Sequence, residues 1–201
     1  MRIAKESLPF LLPLLAASVL AGLWRPWAMS LPLALTGFVL WFFRDPERTV
    51  PADPGAILSP ADGRVLKAAD GKISIFLNLM NVHVCRSPVS GRVLALVHRP
   101  GLFLAAFKDE ASERNERTIL DLEGESVRLR MTLVAGLIAR RIVSWVGEGQ
   151  WLEAGERVGI IRFGSRVDLE LPQGSSVGVR VGDKVKAGQS VIGRLPGLHD
   201  S

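Results

Sequence analysis

Two stretches without a charged residue, Leu8 to Trp24 and Trp27 to Phe43, open a chain of 201 residues with only Arg25 and Pro26 between them. Each is about 17 residues long, the lower limit for a helix that spans a hydrocarbon core, and at 1.5 Å per residue it covers roughly 25 Å. Two such runs joined by a tight turn predict a hydrophobic α-hairpin over residues 1–43, with one further domain over 44–201. A cleaved signal peptide is the rival reading of the first run, because Arg2 and Lys5 form a basic leader and Ala16, Ala17, Ala21 and Gly22 are small. The second run favours retention, since a released product would carry it as an exposed apolar arm. Arg2 and Lys5 before the hairpin and Arg44 and Arg48 after it outweigh Arg25 in the turn. The positive-inside rule therefore places both ends of the hairpin, and the domain that follows, on the cytoplasmic side of the cell membrane. Trp24, Trp27 and Trp41 suit the interfacial belt. Pro9, Pro13 and Pro32 fall inside the runs and can kink them, which leaves a re-entrant hairpin open.

A net charge of +5 would fit a nucleic acid or an anionic membrane surface equally well. The hairpin decides for the membrane, and no basic run interleaved with aromatics supports a nucleic-acid groove. Cys85 is the only cysteine, which excludes an internal disulfide and a cysteine-based zinc cluster. No metal is predicted.

Beyond the hairpin the chain consists of short β-branched runs punctuated by glycine, at 63–67, 72–77, 91–97 and 126–134. In the last of these Val127, Leu129, Met131 and Leu133 alternate onto one face. The domain is predicted to be mainly β, with helix only around Leu137 to Val143, and the charged stretch Lys108 to Arg117 reads as a mobile loop. Trp151-Leu152-Glu153-Ala154-Gly155 and its continuation to Gly159 is echoed by Lys184-Val185-Lys186-Ala187-Gly188 and its continuation to Gly193. Each copy has the form strand, Ala-Gly turn, strand, as in flattened barrels or sandwiches of the biotinyl/lipoyl kind. Such repeats serve as a folding device; a carrier of that kind would present a lysine between the halves, here Lys184 or Lys186.

Three segments carry chemistry. Gly164-Ser165, within the stretch Ile160 to Pro172, reads as the tip of a strand, where glycine tolerates a strained backbone and leaves the path to its carbonyl clear for the serine hydroxyl. Taken alone the pair is an ordinary turn dipeptide. Ser59-Pro60-Ala61-Asp62-Gly63 adds a carboxylate and Asn81-Val82-His83-Val84-Cys85-Arg86-Ser87-Pro88 an imidazole. By themselves Asp62 reads as a turn residue, His83 as a strand histidine with a structural partner, and Cys85 as a small buried hydrophobe. His98 and His199 have no motif around them and read as surface residues.

Together with Phe42-Phe43-Arg44-Asp45-Pro46-Glu47-Arg48, Asn115-Glu116-Arg117, Arg140-Arg141-Ile142-Val143 and Phe163-Gly164-Ser165-Arg166, these segments resemble the phosphatidylserine decarboxylase family. The match is to its short branch, which includes archaeal members acting on archaetidylserine. The resemblance runs in order from about Phe42 to the C-terminus. It implies that Ser165 attacks the Gly164 carbonyl, that the chain is cut between Gly164 and Ser165, and that Ser165 becomes a covalent pyruvoyl group. That group would form a Schiff base with the amine of an aminophospholipid and take up the electrons left when CO2 departs, giving phosphatidylethanolamine or its archaeal analogue. The expected partners are the lipid, the membrane and the chain's own cleaved piece, residues 1–164 with 165–201; a homodimer is left open.

Asp62, orienting the imidazole, and His83 are the candidate catalytic residues beside Ser165. Longer family members carry His-x-x-His here; His83 matches the first histidine, associated with decarboxylation, and Arg86 stands at the second, associated with self-cleavage. His83 then serves both steps, or Asp62 and backbone strain suffice for the first. Arg166, which adjoins the cut, is the candidate for the substrate's phosphate or carboxylate, with Arg140, Arg141 and Arg162 behind it. The alternative from another class is a non-enzymatic membrane-anchored carrier or adaptor.

Overall fold

The computed structural model describes residues 1–53, 55–104, 106, 110–124, 127–136, 141–162 and 164–197. They form two compact units, Met1–Glu47 and Arg48–Ser201. The first holds β1 (Arg2–Ile3), α1 (Leu8–Trp24), α2 (Ser30–Phe42) and β2 (Arg44–Asp45), with β1 and β2 paired antiparallel. Pro9 and Pro32 sit in first turns, where the missing N–H has no helical partner anyway, and Pro13 lies inside α1. Ser18 and Thr36 turn their hydroxyls back onto the carbonyls of Leu14 and Pro32, each at 2.8 Å, so these helices hide their own polar groups. The segment Lys5–Trp24 is long and apolar enough to cross a membrane; Pro26–Phe42 is shorter.

The second unit runs β3 (Ala56–Leu58), β4 (Gly63–Ala69), β5 (Lys72–Leu77), β6 (Val84–Arg86), β7 (Gly91–Arg99), the one-turn α3 (Ala111–Arg114), β8 (Arg117–Glu123) and β9 (Arg128–Ala135). It continues through β10 (Ile142–Ser144), β11 (Trp151–Leu152), β12 (Arg157–Ile161), β13 (Ser165–Glu170), β14 (Ser176–Val177), β15 (Lys184–Val185) and β16 (Val191–Arg194). The large sheet has the order β11-β7-β8-β9-β13-β5-β4-β15, and two three-stranded sheets have the orders β10-β12-β6 and β14-β16-β3. The unit is mainly β, as expected, but no closed barrel forms among the described residues. Each Ala-Gly repeat explains why: its first strand, β11 or β15, is a two-residue end strand of the large sheet, and its turn carries the chain into a different small sheet.

The Ala-Gly repeat is matched by a second one, less plain in the sequence. Ser59-Pro60-Ala61-Asp62-Gly63-Arg64-Val65 and Ser87-Pro88-Val89-Ser90-Gly91-Arg92-Val93 occupy equivalent places. Leu58 donates its N–H to Pro88 and Arg86 its N–H to Pro60; Gly188 donates to Ser59 and Gly155 to Ser87. The hydroxyls of Ser59 and Ser87 donate to the carbonyls of Ala61 and Val89, both at 2.7 Å. Two similar halves thus meet about a local pseudo-twofold. A Cβ on Gly188 would lie 2.9 Å from Arg86 Cδ and 3.3 Å from Gly155 Cα, so the two Ala-Gly turns are pressed together at this seam. Ala187 is buried there, and neither Lys184 nor Lys186 stands at an exposed turn tip as a carrier would require.

Two expectations fail locally. Ile142 and Val143, expected at the end of a helix, lie in β10 and pair with Ile161 and Ile160; cross-strand packing of β-branched residues decides the conformation, while residues 137–140 fall outside the described set. The charged stretch 108–117 contains α3 and a fully buried Asn115, so it is anchored where it is described; Lys108 and Asp109 are outside that set.

Candidate active site

β13 is the strand that matters most, and it lies between β5 and β9 with Ser165 opposite both Leu77 and Ala135. Its alternation puts Ser165, Val167 and Leu169 on the core face, with Leu77, Ile75 and Ile73 beside them on β5 and Ala135, Leu133 and Met131 on β9. Ser165 is therefore a serine at a core position, fully buried, and its Oγ has no hydrogen-bond partner among the described residues. Leaving a buried hydroxyl unsatisfied costs about 1–3 kcal/mol, so such a group calls for an explanation. The residue before it, Gly164, has φ +65°, a left-handed conformation that disfavours any residue with a side chain.

The link from β12, which ends at Ile161 in a small sheet, leads to β13, which begins at Ser165 in the large one. His83 lies against its start, because the Ile161 N–H donates to the His83 carbonyl at 3.2 Å. The imidazole is fully buried and its Nδ1 lies 3.0 Å from the Asn81 carbonyl. A carbonyl can only accept, so Nδ1 carries the proton and Nε2 is the basic nitrogen of the neutral ring. Asn81 is itself held by a turn that follows β5 directly: Asn81 Oδ1 accepts from the Asn78 N–H and Asn78 Oδ1 from the Met80 N–H, both at 2.9 Å. One strand end thus positions both groups, Ser165 through Leu77 and His83 through the turn at 78–81.

Asp62 is placed elsewhere. Its carboxylate takes a two-pronged ion pair from Arg48, at 2.8 and 3.0 Å, and accepts from the Ala187 N–H at 2.8 Å. Arg48 also reaches Gln189 Oε1 at 2.9 Å. The pseudo-symmetric counterpart of the Ala187–Asp62 bond is Ser90 Oγ accepting from the Ala154 N–H at 2.9 Å. Asp62 therefore caps one repeat turn as Ser90 caps the other, and the orienting partner expected of it for the imidazole is instead the Asn81 carbonyl. Asp62→Asn keeps an acceptor for Ala187 but removes the charge facing Arg48, in a pair whose side chains are 8% and 12% exposed. Breaking a buried pair by removing one partner costs about 3–5 kcal/mol, so a clearly lower thermal unfolding midpoint is expected, and an unchanged midpoint would show that the pair contributes nothing.

Arg166 lies on the face of β13 opposite Ser165. Its guanidinium is buried, pairs with Asp168 and donates to Ser74 Oγ at 3.0 Å, while Asp168 accepts from Ser112. Arg86, at the position of the second family histidine, is also buried and donates to the Gly155 carbonyl at 2.9 Å, which makes it part of the seam between the repeats. Arg141 is exposed; Arg140, Phe163 and His199 lie outside the described residues. His98 is half exposed, 3.3 Å from Thr118 Oγ1. Cys85 is fully buried, and burial, with the negative charge of Asp62 adding to it, pushes its thiol pKa up, so it stays protonated and inert. No cluster of metal-binding side chains occurs among the described residues.

Sequence reasoning missed two residues here. A Cβ on Gly136 would lie 2.0 Å from the Gly164 carbonyl oxygen, and Asn115 is fully buried against the end of β9. Asn115 was visible as part of a motif without a role; nothing local distinguishes Gly136 from the other 19 glycines.

The sequence profile of the family described as Phosphatidylserine decarboxylase matches residues 35–193. A phosphatidylserine decarboxylase proenzyme of Symbiobacterium thermophilum is 48% identical over 207 aligned positions, covering 96% of each chain. One from Syntrophus aciditrophicus is 43% identical over 95% of this chain and 96% of its own. A Methanococcoides burtonii protein provisionally named an archaetidylserine decarboxylase proenzyme is 40% identical, again over 96% of each. A profile match across most of the chain, and relatives that align over nearly their whole lengths, establish that the chain belongs to the phosphatidylserine decarboxylase family.

Proposed function

We propose that the chain is a self-processing proenzyme whose mature form decarboxylates phosphatidylserine, or the corresponding archaeal-type aminophospholipid, to the ethanolamine lipid. The observation that carries this reading is the buried, unpartnered Ser165 hydroxyl directly after a glycine held in the left-handed region. In the first step Ser165 Oγ bonds to the Gly164 carbonyl carbon and the Gly164–Ser165 amide bond breaks, leaving an ester. Loss of the Ser165 Cα proton then expels the Gly164 carboxylate and leaves dehydroalanine; water enters and ammonia departs to give the pyruvoyl group. His83 Nε2, left as the basic nitrogen by the bond from Nδ1 to Asn81, would take the hydroxyl proton. Once formed, the pyruvoyl group supplies a sink for the electrons released with CO2. The site suits it: Ser165 is buried away from water, and an imidazole is anchored to the same strand end. His83 would also return a proton to the substrate carbon. The buried pairing of Arg166 favours a structural part over phosphate binding.

The pseudo-twofold pairing of the repeats supports a biotinyl/lipoyl-like origin for the strand arrangement. The apolar segment Lys5–Trp24 supports anchoring to a membrane, and the basic residues flanking the hairpin support a cytoplasmic site. After the cut, residues 165–201 should stay bound without a covalent link, because β13 is paired on both sides and Val167, Leu169, Val185 and Ile192 are buried, each worth roughly 1.5–3 kcal/mol.

Mass spectrometry of the purified protein tests the proposal. Two chains are expected, one ending at Gly164 and one lighter by an ammonia than a peptide beginning with serine. An active sample made of intact chain, or of a fragment with a free N-terminal serine, would rule the mechanism out.

A further inference from the structure

The step most sensitive to geometry is attack on the Gly164 carbonyl, and two residues outside the nucleophile and base control where that carbonyl lies. We propose that Gly136, locked in place by Asn115, is a positioning element for the scissile peptide, an inference that rests on the self-cleavage reading above. The Cβ direction of Gly136 runs straight at the Gly164 oxygen, ending 2.0 Å from it and 2.9 Å from the Gly164 carbonyl carbon. Only a hydrogen fits there, and that Cα–H faces the carbonyl oxygen. The carbonyl is therefore held against the Gly136 backbone while Ser165, one residue on, is fixed in the ladder between Leu77 and Ala135. The peptide to be cut is gripped from both ends.

Gly136 has little room to retreat for a side chain. The same Cβ would lie 3.2 Å from Ala106 Cβ. The adjoining residue Ala135 is pinned by Asn115, whose Nδ2 donates to the Ala135 carbonyl at 2.7 Å and to the Leu104 carbonyl at 2.8 Å, while its Oδ1 accepts from the Leu104 N–H at 2.8 Å. The amide thus ties Leu104 to the end of β9 with nearly all of its bonding capacity. The Ala135 N–H donates to Glu116 at 2.9 Å, closing the tie from the other side. The Asn115-Glu116-Arg117 motif thereby acquires a role, fixing the strand end against which the Gly164 carbonyl rests.

Gly136→Ala should fold but stay uncut, with processing slowed by at least about 100-fold, the order expected when a reacting atom is misplaced by an ångström. Asn115→Asp keeps the acceptor for Leu104 but turns a carboxylate towards two carbonyl oxygens, and should slow processing by at least about tenfold. Full-length variants would be followed by gel and mass spectrometry, with thermal unfolding to score folding and neutral hydroxylamine added in parallel. Hydroxylamine cleaves esters and spares amides. It should therefore fail to cut Gly136→Ala, in which the ester does not form, a result that a fault in the later elimination would not produce. Gly147→Ala, whose Cβ would meet nothing within 4 Å, should cut like wild type. Folded Gly136→Ala that cuts at the wild-type rate or is cleaved fully by hydroxylamine would overturn the proposal, as would a Gly147→Ala that also fails to cut. If Gly136→Ala does not fold, Asn115→Asp decides, and wild-type processing by it overturns the proposal. A wild-type chain that stays whole removes the self-cleavage reading itself; a cut wild type matched by Gly136→Ala removes only this inference.

Discussion

Ser165→Ala should leave one uncut chain with no decarboxylase activity. The substitution deletes the oxygen that serves first as nucleophile and then, in the ester, as the leaving group whose elimination gives dehydroalanine, so no slower route to the same product remains. Structure is expected to survive. Ser165 occupies a core position between Leu77 and Ala135, its hydroxyl makes no hydrogen bond among the described residues, and alanine fits that place while removing an unsatisfied buried polar group. The variant should therefore unfold at or above the wild-type temperature while losing all turnover, a combination that damage to the fold cannot imitate. Measurable turnover by pure Ser165→Ala would end the pyruvoyl hypothesis. Ser165→Thr and Ser165→Cys retain a nucleophile and should cut slowly, giving a poorer or altered prosthetic group.

The second large effect is expected at His83. General base catalysis typically contributes about 10²–10⁴-fold, and His83→Ala should accumulate uncut precursor to that degree. The structure strengthens the case for a dual role. Asp62 is committed to Arg48 and Ala187, and Arg86 is a guanidinium in the seam between the repeats, permanently protonated at neutral pH. His83 has a set tautomer and an anchor one turn away from β5, the strand paired beside Ser165. Processing and turnover should be measured separately. A His83→Ala chain that cuts at the wild-type rate would confine the imidazole to decarboxylation, and one that also turns over normally would remove it from the site.

These two predictions depend unequally on the fold. That Ser165 is the residue to change follows from a dipeptide, its neighbours and a family pattern. That alanine should be tolerated there follows only from seeing the hydroxyl buried on the core face of β13.

What was legible in the sequence is what short-range order encodes. The uncharged runs had to become helices, because a backbone in apolar surroundings must satisfy its own hydrogen bonds. The alternation of Val127, Leu129, Met131 and Leu133 announced the half-buried strand β9, and the Ala-Gly repeat announced two equivalent turns. Gly164 announced a place where a strained backbone is tolerated, and its φ of +65° uses that freedom. Tertiary structure decided everything that depends on which distant segments meet. It gave His83 a backbone carbonyl where a carboxylate was expected, and it gave Asp62 to Arg48 and the second repeat, because a carboxylate's partner is set by the strands that converge on it rather than by its motif. Arg166 was turned away from Ser165 by the two-residue period of the strand that both occupy. Ile142 and Val143 became strand through pairing with β12, overriding a weak local preference. Gly136 and Asn115 acquired their roles only when the end of β9 came to rest beside Gly164, an adjacency that no pattern within either segment records.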